Sequence, residues 1–270
     1  MFVQRALVSL TLGPLALWLI YQGGLFYAIP ISVILLLATL EYAQIVNKMG
    51  YAVPRVLLVA VVSLQWVAGY ATAVNLEGLL FLAALFVIMA YSLWLHERRG
   101  SQQALNTWLG LLFGVVLLGW LGSHFLRLRG LEQQAWQWTM LAMLSTWTAD
   151  SGAYLVGRFL AGRVLGRHLL TPRLSPNKTI EGLFGGIVLG TLFTLGFGVL
   201  LQLPWGSVLT FGLLITCLTP MGDLGISYLK RLAGVKDSGT LFPGHGGALD
   251  RIDSLVWAVA IAYYLALYMG

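Results

Sequence analysis

Charge is scarce in this sequence. Only 10% of its 270 residues are Asp, Glu, Lys or Arg, and 59% are hydrophobic. Ordinary soluble domains carry about 25% charged residues. A water-soluble fold of this length could not hide so much apolar surface. A transmembrane β-barrel is excluded on a different ground. Its strands would read as alternating segments of about ten residues, whereas the apolar runs here are long and continuous. What remains is an all-α, polytopic integral membrane protein.

Cysteine is almost absent. Cys217 is the single one, so no disulfide forms within the chain and no oxidising-compartment scaffold is indicated. Lying in an apolar run, it reads as a buried small hydrophobe. A cleavable leader is not expected either. Arg5 precedes an apolar stretch long enough to span, and no small-residue cleavage motif follows it.

What is abundant is membrane-length hydrophobicity. About nine apolar segments are read, near 5–22, 25–47, 54–73, 76–95, 104–124, 135–160, 180–202, 206–230 and 250–269, each close to the ~20 residues that cross a bilayer. Basic residues orient them. With the N-terminus in the cytoplasm, all of the 16 Lys and Arg except Arg127 and Arg129 fall on the cytoplasmic side, which is the positive-inside pattern. The C-terminus is then expected on the opposite side. Residues 1–125 form an N-terminal set of helices with a packing, dimer-forming or lipid-facing role. Residues 126–270 carry the polar blocks.

Three such blocks stand out, all on the cytoplasmic side. In "TADSGAYLVGR", Asp150, Tyr154 and Arg158 are spaced i, i+4, i+8 and share a helix face. An ionised Asp150 within an apolar segment costs at least ~2.5–3.5 kcal/mol, so it requires a partner or a wet cavity. A structural ion pair with Arg158 or with another helix is the plain alternative to a site. In "RLSPNKTIEG", Ser175 or Asn177 is expected to cap the next helix, with Pro176 at its entry. Lys178 and Thr179 then occupy the first turn, where free N–H groups attract anions; an ordinary helix start with a snorkelling lysine is the alternative.

The third block runs from Pro220 to Asp253. Asp223, Ser227 and Lys230 fall on one helix face, followed by Arg231, Lys236, Asp237 and the glycine-rich "GHGG" with His245, Gly246 and Gly247. Asp250, Arg251 and Asp253 follow, with the two aspartates one turn apart at the start of the last helix, where the dipole favours carboxylates. Carboxylates suit Mg²⁺, Lys and Arg neutralise phosphate oxygens, and glycines allow close backbone approach to a polyphosphate. That combination serves phosphoryl or nucleotidyl transfer. For His245 a loop hydrogen bond weighs equally with a phosphate contact. His96, His124 and His168 are expected at helix ends near water without a chemical role.

The stretch "SYLKRLAGVKDSGTLFPGHGGALDRID", Ser227 to Asp253, resembles the signature of the phosphatidate cytidylyltransferases, or CDP-diacylglycerol synthases. "DSGAYLVGR" and "SPNKTIEG" are similar to two further blocks of that family, in the same order. The resemblance implies a catalytic C-terminal region that converts phosphatidate and CTP to CDP-diacylglycerol and pyrophosphate. It implies Mg²⁺, alone or with a second cation, and a homodimer in the cytoplasmic membrane. Membrane lipid is the expected surroundings, and no nucleic-acid partner is expected. Asp223 and Asp250 would be the metal carboxylates, with Asp150 and Asp253 behind them. Lys230, Arg231, Lys236, Lys178 and the His245–Gly247 turn would handle phosphates.

Three positions depart from the family pattern. Ala248 replaces a larger aliphatic residue, Ile226 stands where a glutamate is frequent, and Asn177 replaces a frequent lysine. Two rival readings remain open at this stage. A secondary transporter would use Asp150 and Asp223 for ion coupling, but it would usually show repeat symmetry and midplane sites. A CTP-using polyprenol or phytol kinase would leave phosphate rather than cytidine on its lipid.

Overall fold

The structure is a computed structural model and describes residues 2–71, 74–241 and 246–269. It is helical nearly throughout. In chain order the helices are α1 (Phe2–Gln22), α2 (Gly24–Lys48), α3 (Arg55–Ala71), α4 (Val74–Arg99), α5 (Ser101–Gly114) and α6 (Gly122–Arg129). Then come α7 (Ala135–Leu155), α8 (Ile180–Leu200), α9 (Trp205–Leu232), α10 (Leu249–Ile252) and α11 (Leu255–Met269). Among the described residues, each of the nine expected apolar segments is mainly helical. Six helical stretches among the described residues are long and apolar enough to cross a membrane, so the protein is an all-α polytopic membrane protein.

The helices cluster into two compact units. One comprises Met1–Leu131 with Leu229–Ile252, the other Glu132–Tyr228 with Asp253–Gly270.

In the first unit, a π-helical stretch (Val115–Leu121) joins α5 to α6. The wider turn changes which carbonyls are used internally. The Trp66 indole N–H donates to Leu118 O at 2.7 Å. The Tyr42 hydroxyl donates to Gly110 O at 2.7 Å, and the Tyr27 hydroxyl to Phe125 O at 3.2 Å. In an apolar bundle such bonds tie helices together while satisfying polar groups that no water reaches. Arg127 pairs with Glu77 at 2.9 Å, and Arg129 donates to Ile20 O at 2.7 Å.

In the second unit, α8 lies close against α7 through buried Gly182, Gly186 and Gly190. A Cβ added at these positions would meet the Ala153 carbonyl at Gly182, the Ala149 carbonyl at Gly186, and the side chains of both Thr216 and Ala149 at Gly190. Small residues at four-residue spacing let two backbones approach this way. A π-helical stretch (Val156–Leu160) ends α7. After it comes an antiparallel hairpin, β1 (Leu169–Thr171) and β2 (Ser175–Thr179), paired Leu169 with Thr179 and Thr171 with Ser175.

This hairpin corrects the expected start of α8. Proline disfavours the α conformation in the residue before it, and pairing with β1 keeps 175–179 extended. Neither Ser175 nor Asn177 caps the helix. Thr179 is the N-cap, its hydroxyl accepting from Gly182 N at 3.0 Å, and Lys178 lies on the strand rather than in the first helical turn.

Three further expectations change. Cys217 is exposed on α9, because an apolar helix in a membrane presents apolar residues outward as well as inward. His124 is buried; its ring nitrogens lie 2.9 Å from Trp120 O and 3.2 Å from the Arg127 guanidinium. The last apolar segment is broken, since Asp253 and Ser254 form a turn between α10 and α11. Asp253 therefore lies outside both helices, accepting from Ser254 N at 2.7 Å.

Candidate active site

The second unit contains a cavity of about 680 Å³, within the size range that encloses small-molecule ligands. Its walls come from the end of α7, the π stretch, the hairpin, the start of α8 and α9. Asp150 and Asp223 line it, together with Arg158, Arg163, Arg167 and Lys178. Four cations face two carboxylates, so the cavity carries net positive charge suited to a polyanion.

The elements explain how these groups converge. Asp150 lies on the last turns of α7, exposed to the cavity, which answers how a carboxylate is tolerated in that apolar segment. Arg158 lies four residues after Tyr154 and sits over its ring, 5.9 Å from the centroid. Strand β2 brings Lys178 to Asp223 on α9, with Nζ 2.5 Å from Oδ2. The Ser227 hydroxyl, one turn along α9, donates to Asp223 Oδ1 at 3.2 Å. Both partners of the Lys178–Asp223 pair keep about 30% of their side-chain surface accessible (30% and 31%). They are compensated and yet reachable by a ligand.

The first unit holds the other polar cluster. Lys230 Nζ donates to Asp250 Oδ1 at 2.6 Å, and these side chains are only 10% and 7% accessible. Asp250 Oδ2 accepts from Ser238 N at 2.8 Å, Ser238 Oγ at 2.9 Å and Gly247 N at 3.0 Å. Gly246 adopts φ +80°, a left-handed conformation that favours glycine. At Gly247 a side chain would collide with Glu41 and Ser238. The glycine pair thus serves the fit of this turn, and the Gly247 N–H is directed at Asp250.

The remaining predicted residues are more peripheral. Lys236, Asp237 and Arg251 are exposed, and Ser175 is half-buried on β2; Asn177, by contrast, lines the cavity with Tyr154 and Thr179. Arg231 donates to Val235 O at 3.3 Å. His245 lies outside the described residues.

Sequence reasoning missed Glu41, Arg163, Arg167 and Ser238. Glu41 left a signal, a lone acid in the apolar run of α2. The two arginines lie in a loop without periodicity, where only folding brings them to the cavity.

The described residues contain no group of three or more His, Cys, Asp and Glu side chains able to hold a metal. Mg²⁺, however, is commonly held by one or two carboxylates, with waters and substrate phosphates completing its shell. Asp150 and Asp223, oxygen donors on one cavity, fit that requirement.

Fold and cavity together define a helical membrane protein with a cavity lined by four cations and two carboxylates. Residues 3–269 match the model of the cytidylyltransferase family. The chain is 32% identical over 298 residues to the phosphatidate cytidylyltransferase of Synechocystis sp., covering 98% of this chain and 97% of that protein. It is 28% identical over 263 residues to that of Staphylococcus epidermidis, covering 95% and 96%. With that of Bacillus subtilis it is 39% identical over 152 residues, which span 56% of this chain and 55% of the relative. The chain belongs to the cytidylyltransferase family.

Proposed function

We propose that this protein transfers the cytidylyl group of CTP to phosphatidate, giving CDP-diacylglycerol and pyrophosphate, at the cytoplasmic face of a bacterial cell membrane. The observation that carries the reading is the cavity where Asp150 and Asp223 face Arg158, Arg163, Arg167 and Lys178.

The chemistry suits that lining. The nucleophile is a phosphate oxygen of phosphatidate, ionised at neutral pH, so no strong general base is needed. It forms a new P–O bond to the α-phosphorus of CTP. The bond from that phosphorus to the β-bridging oxygen breaks, and its electron pair leaves with pyrophosphate. The obstacle is electrostatic, since two polyanions must meet. Lys178 and the arginines offset their repulsion and orient the phosphates. Lys178 is held by Asp223 before substrate arrives, so the ammonium is already placed when charge develops.

Asp223 and Asp150 are the residues assigned to Mg²⁺ in this cavity; when bound, the ion polarises the phosphoryl group and neutralises leaving-group charge. Asp250, which the family resemblance gives with Asp223 as a metal carboxylate, is buried with Lys230 in the first unit and is assigned as a third acidic residue required for turnover. The assembly is taken to be a homodimer, as the family resemblance implies.

Purified Asp223→Asn is expected to remain folded in detergent and to lose at least about 100-fold in CTP-dependent product formation. Wild-type activity in that variant would remove the cavity from the mechanism.

A further inference from the structure

Glu41 belongs to α2, among helices whose expected role was packing, yet it binds the most polar segment of its unit. Its Oε2 accepts from the Ser238 hydroxyl at 2.7 Å and from Leu249 N at 2.9 Å. Its Oε1 accepts from Ala248 N at 3.0 Å. Three donors that are far from Glu41 in sequence converge on one carboxylate, and two of them are backbone groups at the start of α10.

The same residues meet Asp250 from the other direction. Ser238 Oγ is 2.7 Å from Glu41 Oε2 and 2.9 Å from Asp250 Oδ2. A serine hydroxyl has a single proton to donate, so the two carboxylates share one donor. Gly247, whose N–H reaches Asp250 at 3.0 Å, packs against Glu41 so closely that no side chain fits between them. Glu41 therefore governs both ends of the segment that surrounds Asp250: the Ser238 end through the hydroxyl, and the Gly247–Leu249 end through two N–H bonds. A carboxylate is required chemically. It offers only acceptors, whereas a glutamine would turn an amide N–H₂ toward at least one of the three donors.

We propose that Glu41 is a positioning residue for turnover: it holds Ser238 and the Gly247–Leu249 turn so that their donors meet Asp250. The effect on turnover rests on the proposed cytidylyl transfer; the holding of the segment does not.

The experiment compares full-length wild type, Glu41→Gln and Glu41→Asp, purified in detergent, by two readouts. Amide hydrogen exchange reports local opening. Peptides covering Ser238 and Gly247–Asp250 are expected to exchange about tenfold faster in Glu41→Gln, with peptides of α7 and α8 unchanged. Steady-state kinetics are expected to show kcat reduced about 10- to 100-fold, with KM for CTP changed less than about threefold, as misplacement by an ångström produces. Glu41→Asp, which keeps the acceptors, should recover part of kcat.

Unchanged exchange in Glu41→Gln overturns the proposal. So does a wild-type kcat, or a loss of activity that follows only the amount of folded protein. A wild type unable to make CDP-diacylglycerol would refute the cytidylyl-transfer reading and the turnover role with it, while the exchange result would still decide whether Glu41 holds the segment.

Discussion

The ion pairs inside this apolar chain differ by task. Lys178–Asp223 is a pair left partly accessible from the cavity, while Lys230–Asp250 is enclosed. Arg127 and Arg129, the two basic residues on the sparsely basic side, are also engaged. One pairs with Glu77 and the other donates to the carbonyls of Ile20 and Tyr21. The Arg127–Glu77 pair lies among buried groups, where removing one partner leaves the other charge uncompensated at a cost of about 3–5 kcal/mol, whereas replacing both with apolar groups costs much less. Arg127→Met should therefore lower the thermal midpoint in detergent sharply, and Glu77→Leu combined with Arg127→Met should recover most of it.

At this scale the sequence was informative where a polar group interrupts an apolar run. Asp150 and Asp223 announced themselves in that way. Glu41 did so too, but it belongs to no polar block, and its partners lie about two hundred residues away in the chain.

The elements show which patterns are local and which depend on contact. Helices follow from the apolar runs, since a chain in lipid must satisfy its backbone internally. The hairpin was not legible. Ser175, Pro176 and Asn177 are helix-start residues by local preference, and they became a strand because Leu169–Thr171 pairs with them. That pairing shifts the cap to Thr179 and turns Lys178 toward Asp223. The closeness of α7 and α8 was encoded in Gly182, Gly186 and Gly190, although a four-residue glycine spacing becomes a contact only when a partner with small residues faces it. Ala149 and Ala153 supply that face. Replacing Gly190 with leucine should push α8 away from Ala149 on α7 and from Thr216 on α9 at a cost of about 1–3 kcal/mol. Because both helices line the cavity, activity should fall more than the folded fraction does, as measured by size-exclusion yield and product formation in parallel.

For the whole molecule, membrane integration follows from composition and is matched by six helical stretches of sufficient length and hydropathy. Orientation rests on the distribution of basic residues alone. The account places the N-terminus and the loops bearing Arg163, Lys178 and Lys236 in the cytoplasm, with the C-terminus opposite. With Cys217 changed to Ser, a single cysteine introduced at Arg173 should be labelled by a membrane-impermeant maleimide only after cells are opened, and one at Met269 in intact spheroplasts. From sequence the chain divides between residues 125 and 126; that residues 229–252 cluster with the N-terminal helices rather than with their neighbours in the chain was not legible there. Such an arrangement arises from tertiary packing and leaves no periodic signal.

The central claim is that cytidine, not phosphate alone, ends on the lipid. Purified protein in phosphatidate-containing micelles with Mg²⁺ should be given CTP labelled in one sample at the α-phosphate and in another at the γ-phosphate. The account predicts α-label in the lipid fraction and γ-label released as pyrophosphate, in equal amounts. A lipid carrying γ-label without α-label would mark a kinase and contradict the account, as would the absence of any label transfer from a folded preparation.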